Sequence, residues 1–292
     1  MTKTQEKHFS FLKLFFIIVL IIGLIIAYGF FIEPKLITVK EQKITINNWP
    51  DNFNGFKIVH ISDIHYGRVF DDESFQKLID SINEQKPDIV VLTGDLIDKD
   101  TKMTTNMANK ISKLLNKINA TTGKYAINGN NDLNFDEWIN IVTEGGFKDL
   151  NNTYDTIYKD GYSNIFIAGT STVEDKLSIN DKLKTSIDYL NSFEKDGPIY
   201  KILLLHEPDV IDDMSVNPFD LILAGHSHAG QVRLPFIGAI ILPDGAKKYY
   251  DSHYKIENSD LYISNGLGVS NYNFRLFNTP SYNVYRLVEK TS

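Results

Sequence analysis

Lys57-Ile-Val-His-Ile-Ser-Asp-Ile-His65 is the stretch that decides the fold. Ile58 to Ile61 is a short, mostly β-branched run bounded by polar turns, which predicts a buried strand. Just past its end stand Asp63 and His65, two apart, so an extended backbone would turn both side chains to the same side. A carboxylate and an imidazole placed this way can share one metal ion. Alone, Asp-x-His is a weak signal.

The same arrangement recurs along the chain. Asp88-Ile-Val-Val-Leu-Thr93 runs into Gly94-Asp95-Leu-Ile-Asp98, and Lys124-Tyr-Ala-Ile127 into Asn128-Gly129-Asn130-Asn131-Asp132. Lys201-Ile-Leu-Leu-Leu205 ends in His206, and Asp220-Leu-Ile-Leu-Ala224 in Gly225-His226-Ser227-His228-Ala229-Gly230. Each of these apolar runs delivers potential metal ligands beyond its C-terminal end, the edge at which open α/β sheets bind ligands. Between them, Phe75, Leu78, Ile79 and Ile82 predict a helix capped by Asp72 or Ser74, and Met103 to Ile118 a second amphipathic helix. This βαβαβ order implies a largely parallel sheet. Residues 133–200 carry no ligand-like cluster: a short helix is predicted around Trp138 to Val142, strands at 147–150, 156–158 and 165–168, and a helical stripe from Ile179 to Phe193. Short strands follow at 231–234, 262–264 and 282–287.

The chain has 292 residues, 42% hydrophobic and 23% charged, the balance of an ordinary globular protein. A net charge of -7 argues against a partner as extended as long nucleic acid. The absence of cysteine removes disulfides, thiolate metal sites and cysteine nucleophiles together. Leu14 to Ile32 is uncharged and close to the roughly 20 residues that span a bilayer as a helix. Lys3, Lys7 and Lys13 precede it and Lys35, Lys40 and Lys43 follow, a mild bias toward a cytoplasmic N-terminus and an exported domain. The predicted organisation is a polar segment at 1–13, a single-pass anchor at 14–32, a tether and first strand at 33–50, and a catalytic domain at 51–292.

Asp63-x-His65, Gly94-Asp95-x-x-Asp98, Gly129-Asn130, His206 and Gly225-His226-x-His228, in that order, resemble the motif set of the calcineurin-like metallophosphoesterases. Gly-His-Ser-His-Ala-Gly-Gln, Ser264-Asn-Gly-Leu-Gly268 and Phe274-Arg275 are similar to the membrane-associated bacterial branch of that superfamily. The resemblance runs from about residue 55 to the C-terminus. It implies a four-layer α/β/β/α sandwich of two mixed sheets flanked by helices, with two divalent metal ions at the strand ends. One ion would be held by Asp63, His65, Asp95 and His228, the other by Asp95, Asn130, His206 and His226, with Asp95 bridging. Carboxylate, imidazole and amide oxygen suit manganese, iron or zinc. Water acidified by such a pair becomes the nucleophile toward phosphorus. Gly94, Gly129 and Gly225 would let the backbone turn beside the metals.

One position departs from the family. A histidine usually follows the motif asparagine and protonates the leaving oxygen; here it is Asn131, which donates a hydrogen bond but no proton near neutral pH. A phosphoanhydride needs that proton less, and related enzymes that cleave the pyrophosphate of UDP-diacylglucosamine also lack the histidine. The resulting expectation is a membrane-anchored hydrolase of a phosphodiester or pyrophosphate in a small-molecule or lipid-linked substrate. A nuclease or cyclic-nucleotide phosphodiesterase is the alternative among enzymes, and a metal-bearing regulatory protein without turnover is the alternative outside them. Asp98 and His60 are expected to support the ligands, and Arg275 either to contact phosphate or to form a structural ion pair. Trp138, Tyr154, Tyr249, Tyr250 and Tyr272 are expected to pack or to line a pocket.

Overall fold

Short buried strands alternate with one-faced helices, and each helix must cover a sheet to bury its stripe. The computed structural model describes residues 3–159, 161, 164–193 and 197–290, with side chains from residue 11 onward, so the side chains of Lys3, Glu6 and Lys7 lie outside the described residues. In chain order the elements are α1 (Lys3–Phe31), β1 (Thr38–Ile46), β2 (Phe56–Ile61), α2 (Asp72–Gln85), β3 (Ile89–Thr93), α3 (Thr105–Asn116) and β4 (Gly123–Ile127). Then come α4 (Trp138–Glu144), β5 (Lys148–Asp149), β6 (Thr153–Tyr158), β7 (Asn164–Gly169), α5 (Ile179–Asn191), β8 (Tyr200–Leu204) and β9 (Leu221–Ala224). The chain ends with β10 (Arg233–Leu234), β11 (Gly238–Ala239), β12 (His253–Ile256), β13 (Ser259–Ile263) and β14 (Ser281–Glu289).

Two six-stranded sheets form, in the orders β1-β14-β2-β3-β4-β5 and β12-β13-β9-β8-β7-β6. β2, β3, β4 and β5 are parallel, as the crossover helices require, while β14 enters antiparallel to β2. In the second sheet β7, β8, β9 and β13 are parallel, and the outer strands β6 and β12 run against them. Both sheets are therefore mixed.

Side-chain alternation sorts the core into three interfaces. Val59 and Ile61 of β2 face Phe75, Leu78 and Ile79 of α2, while Ile58 of the same strand joins Ile167, Ile202 and Leu223 between the sheets. Phe166, Leu203 and Ile222 pack under Ile179 and Leu183 of α5. The result is the α/β/β/α sandwich.

One local expectation is corrected, and one strand goes unforeseen. Asp71, not Asp72 or Ser74, caps α2: its carboxylate accepts from Ser74 N at 2.9 Å, and Asp72 inside the first turn bonds Lys110 instead. β12 has half-exposed alternation with no continuous apolar run, so its sequence carried no strand signal.

His60 lies in β2, fully buried, with Nε2 2.8 Å from Thr93 Oγ1. Burial keeps its imidazole neutral, down to a pKa of about 3. The unfolded chain takes up that proton near pH 6.5, so between pH 6.5 and 3 the unfolded state binds more protons and stability falls as the pH drops. From pH 7 to 5 this amounts to about 2 kcal/mol. Urea unfolding of chelator-treated protein should show that extra loss in the wild type but not in His60→Gln. Equal losses in the two would remove His60 as the titrating group.

Candidate metal centre

The loops after β2, β3, β4, β8 and β9 converge at one edge of the two sheets. Asp63 and His65 do not reach it by strand alternation. β2 ends at Ile61, and the two residues have φ of 52° and 47°, in the left-handed region, instead of extended backbone. The loop is held in that form by Asp63 N to Gly94 O and His65 N to Asp95 O, both 3.0 Å. Asp95, His226 and His228 also have positive φ, at 50°, 64° and 47°. Such backbone costs a residue with a side chain roughly 1–2 kcal/mol, and strain of this kind collects at functional sites. Gly94 has φ of +92°, and a β-carbon there would collide with the His206 ring and the Gly129 backbone. At Gly225 it would strike Ser62 and Asp63.

Two ligand groups result, buried except for the half-buried His226. Asp63, His65 and His228 each offer an atom within 4.8 Å of the others, and so do Asp95, His206 and His226. Asp95 stands between them, with Oδ2 3.5 Å from His65 Nε2 and Oδ1 3.5 Å from His206 Nε2. Asn130 Oδ1 is 3.2 Å from His206 Nε2, on the second group's side. The structure thus brings together all seven residues singled out as ligands, with Asp95 between the two groups.

Hydrogen bonds behind the ligands select which ring nitrogen faces inward. His206 donates from Nδ1 to Thr93 O at 2.7 Å, leaving Nε2 for the centre. His226 donates from Nε2 to Asp244 O at 2.8 Å, leaving Nδ1. His65 Nδ1 lies 3.3 Å from Asp98 Oδ2, whose carboxylate also takes Arg68 Nε at 2.7 Å. Burial opposes ionisation of Asp98, but those two partners hold it well below the usual carboxylate range. His60 supports the site at one remove, through Thr93. Burial, then the charges of His65 and Arg275, keep His228 neutral, the form that binds a metal. The donor set, its convergence and its oriented nitrogens fit divalent ions of the manganese, iron or zinc type.

Arg275 takes neither expected role. It is fully buried behind His228, with Nη2 3.1 Å from His228 Nδ1, and it donates to the carbonyls of Gly266, Gly268 and Asn278. Burial pulls its guanidinium down to about 10. It orders the 266–278 segment against the ligand loop. Asp132 was passed over as a functional residue, yet it accepts from Gly129 N, Leu96 N and Ile97 N and so ties two ligand loops together. Burial, and then repulsion by Asp95, raise its carboxyl to about 7. No sequence signal marks the Asp244 carbonyl, because any residue supplies one.

Asn131 is turned toward Asp95. Its Nδ2 donates to Asp95 Oδ2 at 2.6 Å, its N donates to Asp95 Oδ1 at 2.8 Å, and its Oδ1 accepts from Lys99 N. Above the centre opens a cavity of about 590 Å³, bordered by Asn130, Asn131, His226, Lys99 and Tyr272. Among the five aromatics, only Tyr272 borders this cavity. Trp138 and Tyr249 are core residues, Tyr154 stacks on Phe166 and Tyr189, and Tyr250 lies beside Arg233.

The calcineurin-like phosphoesterase family model matches residues 56–230, more than half of the chain. The chain belongs to this family. Calcineurin-like phosphoesterases are hydrolases of phosphoesters, and by family this chain is one. It is 34% identical over 265 residues to the uncharacterized metallophosphoesterase YkuE of Bacillus subtilis, covering 89% of each chain. It is 26% identical to a transmembrane protein with metallophosphoesterase domain of Danio rerio, over 86% of this chain and 58% of that protein. It is 24% identical to the UDP-2,3-diacylglucosamine pyrophosphatase LpxG of Chlamydia muridarum, over 81% of this chain and 85% of that protein. Among calcineurin-like phosphoesterases, then, both a membrane-borne relative and a pyrophosphatase are similar to this chain.

Proposed function

We propose that this chain is a membrane-anchored phosphoesterase with a dinuclear centre that hydrolyses a phosphodiester or pyrophosphate bond. Asp63, His65, Asp95 and His228 would hold one ion, and Asp95, Asn130, His206 and His226 the other. The observation that carries this reading is the placing of the two Asp95 oxygens, one toward each ligand group. Bound divalent ions supply the Lewis acidity and the activation of water that in-line displacement at phosphorus needs. The protein's part is to hold Asp95 through Asn131, to keep His228 neutral, and to shape the cavity in which the phosphate sits.

α1 supports the anchoring. Among the described residues it is the one helix long and apolar enough to cross a bilayer, and from Phe11 to Ile26 its large side chains are mostly exposed. We propose a single pass with the catalytic domain outside the cytoplasm, on the lysine bias. A phosphate-containing small molecule or lipid is the proposed substrate; the similarity to LpxG, named as a pyrophosphatase, favours a bond whose leaving group depends less on a proton.

The test takes the full chain in detergent, stripped and reloaded with manganese, iron or zinc. Two ions per chain and metal-dependent cleavage of bis-p-nitrophenyl phosphate are expected. A protein that binds no metal would sink the reading, and one that binds two ions without cleaving any ester or anhydride would favour the regulatory alternative. Asn131→His gives the second readout. The new imidazole could serve as an acid, worth about 10²–10⁴ in rate for poor leaving groups. It also forfeits the amide bond to Asp95, a loss of roughly 10–100-fold on every substrate. The expected result is a fall on activated esters with a smaller fall, or a gain, on alkyl esters, and parallel changes on both would refute an acid role at this position.

A further inference from the structure

The cavity over the metal centre is not closed by the catalytic domain alone. Its floor is polar, but its walls are apolar: Ile26 and Phe30 from α1, Val232 and Ile241 from the β10–β11 hairpin, and Phe274. α1 is fastened to this wall. Gly29 O accepts from Arg275 N at 3.0 Å, and the Phe30 and Phe274 rings lie 4.6 Å apart. The hairpin is fastened to the same segment by Arg233 N to Leu276 O at 2.9 Å. The helix that reads as the anchor and the hairpin therefore rise from one loop, with the groove between them.

The hairpin is unusual for a surface facing water. From Leu234 to Pro243 it carries no charge. Phe236 at its tip is fully exposed, Ile237 and Ile241 are each 71% exposed, and Ile240 is 48%. A contiguous apolar patch of this kind marks an interaction site, and its Ile241 lines the same cavity as Ile26 and Phe30 of the exposed apolar helix α1.

We propose that the groove is a port open to the bilayer: the hairpin tip dips into the membrane beside α1, and the groove takes an acyl chain of a membrane lipid whose phosphate reaches the metal centre. The inference rests on the hydrolase reading above and deepens it by naming the substrate class, an acyl-chain amphiphile presented from the membrane plane. A lipid is the occupant favoured over a protein partner because one wall is the membrane-spanning helix itself, so whatever enters between Ile26 and Ile241 does so at the bilayer surface. Tyr272, 73% exposed at the rim, has the amphipathic character of residues at a membrane–water boundary.

Two measurements test this on the full, manganese-loaded chain in phosphatidylcholine nanodiscs. The first compares dodecyl p-nitrophenyl phosphate with methyl p-nitrophenyl phosphate. Burial of two methylenes alone is worth roughly a ten-fold change in affinity, so the long-to-short ratio of kcat/KM should fall by about ten-fold or more in Ile241→Asp. Partitioning of the ester into the disc is common to both proteins and cancels. The second places an indole at the hairpin tip with Phe236→Trp; its fluorescence should be quenched by brominated phosphatidylcholine, against a wild type whose Trp49 and Trp138 are buried. An unchanged ratio in Ile241→Asp, or an unquenched indole, would overturn the port while leaving the hydrolase intact. Absence of turnover in the wild type with both esters and with a long-chain pyrophosphate diester would instead remove the hydrolase reading on which the port rests.

Discussion

Asp95→Asn should abolish hydrolysis and the capture of the second ion while leaving the fold in place. The substitution keeps the size of the side chain, so the loop after β3, pinned by Asp63 N to Gly94 O and His65 N to Asp95 O, has no steric reason to move. What changes is the chemistry of two atoms. One oxygen now faces the first ligand group and the other the second, at 3.5 Å from His65 Nε2 and from His206 Nε2. An amide offers one acceptor and replaces the other with donors, which would point at an imidazole or at the Asn131 amide. Losing a group that merely orients a ligand costs about 10–100-fold in affinity or activity, and loss of the bridge itself should exceed the upper figure. Metal content by plasma mass spectrometry should drop from two ions to one or none, with diester turnover down more than about 100-fold and the far-ultraviolet circular dichroism unchanged. Retention of both ions with full turnover would refute the bridging role of Asp95.

That the candidate ligands gather was legible in the sequence because each followed an apolar strand, and strand ends in such sheets meet at one edge. The route by which they gather was not. Alternation along an extended backbone predicted the convergence of Asp63 and His65, whereas the convergence comes from two left-handed residues after the strand has ended. Left-handed backbone at Asp and His leaves no periodic trace, unlike burial, which repeats every two or 3.6 residues. Arg275 shows the same limit from another side. Its charge is visible in the sequence, but whether a guanidinium faces a phosphate or a ring of carbonyls depends on how the 266–278 segment folds around it. Asn131 was singled out as a departure, and its contact with Asp95 gives that departure a structural function that the residue type alone did not specify.

A chain starting at residue 45 should fail to hold the fold that one starting at residue 33 retains. In sequence residues 33–50 read as a tether leading into a first strand, and the structure builds that strand, β1, into the edge of the first sheet. β1 pairs with β14 over nine register positions, from Thr38 with Ser281 to Ile46 with Glu289, and a start at 45 removes seven of them along with the buried Ile44. At about 0.5–1.5 kcal/mol net for each ladder bond, that loss is comparable with the whole stability of a domain, about 5–15 kcal/mol. It also bares the edge of β14, an invitation to pair with another chain. Glu33 adds a separate contribution. Only 1% exposed, its carboxylate accepts from Asn278 N at 2.7 Å and Phe277 N at 3.0 Å, while Asn278 in turn donates to His228 O and accepts from Arg275 Nη1. Loss of Glu33 alone therefore unties the segment that backs a metal ligand. Three starts separate the two effects by size-exclusion chromatography, thermal midpoint and metal content. A start at 33 should give a folded monomer with two ions, and a start at 36, with β1 but without Glu33, a folded protein of weakened metal affinity. A start at 45 should give aggregate. Equal midpoints for the starts at 33 and 45 would refute a structural role for β1, and equal metal affinity for the starts at 33 and 36 would uncouple Glu33 from His228.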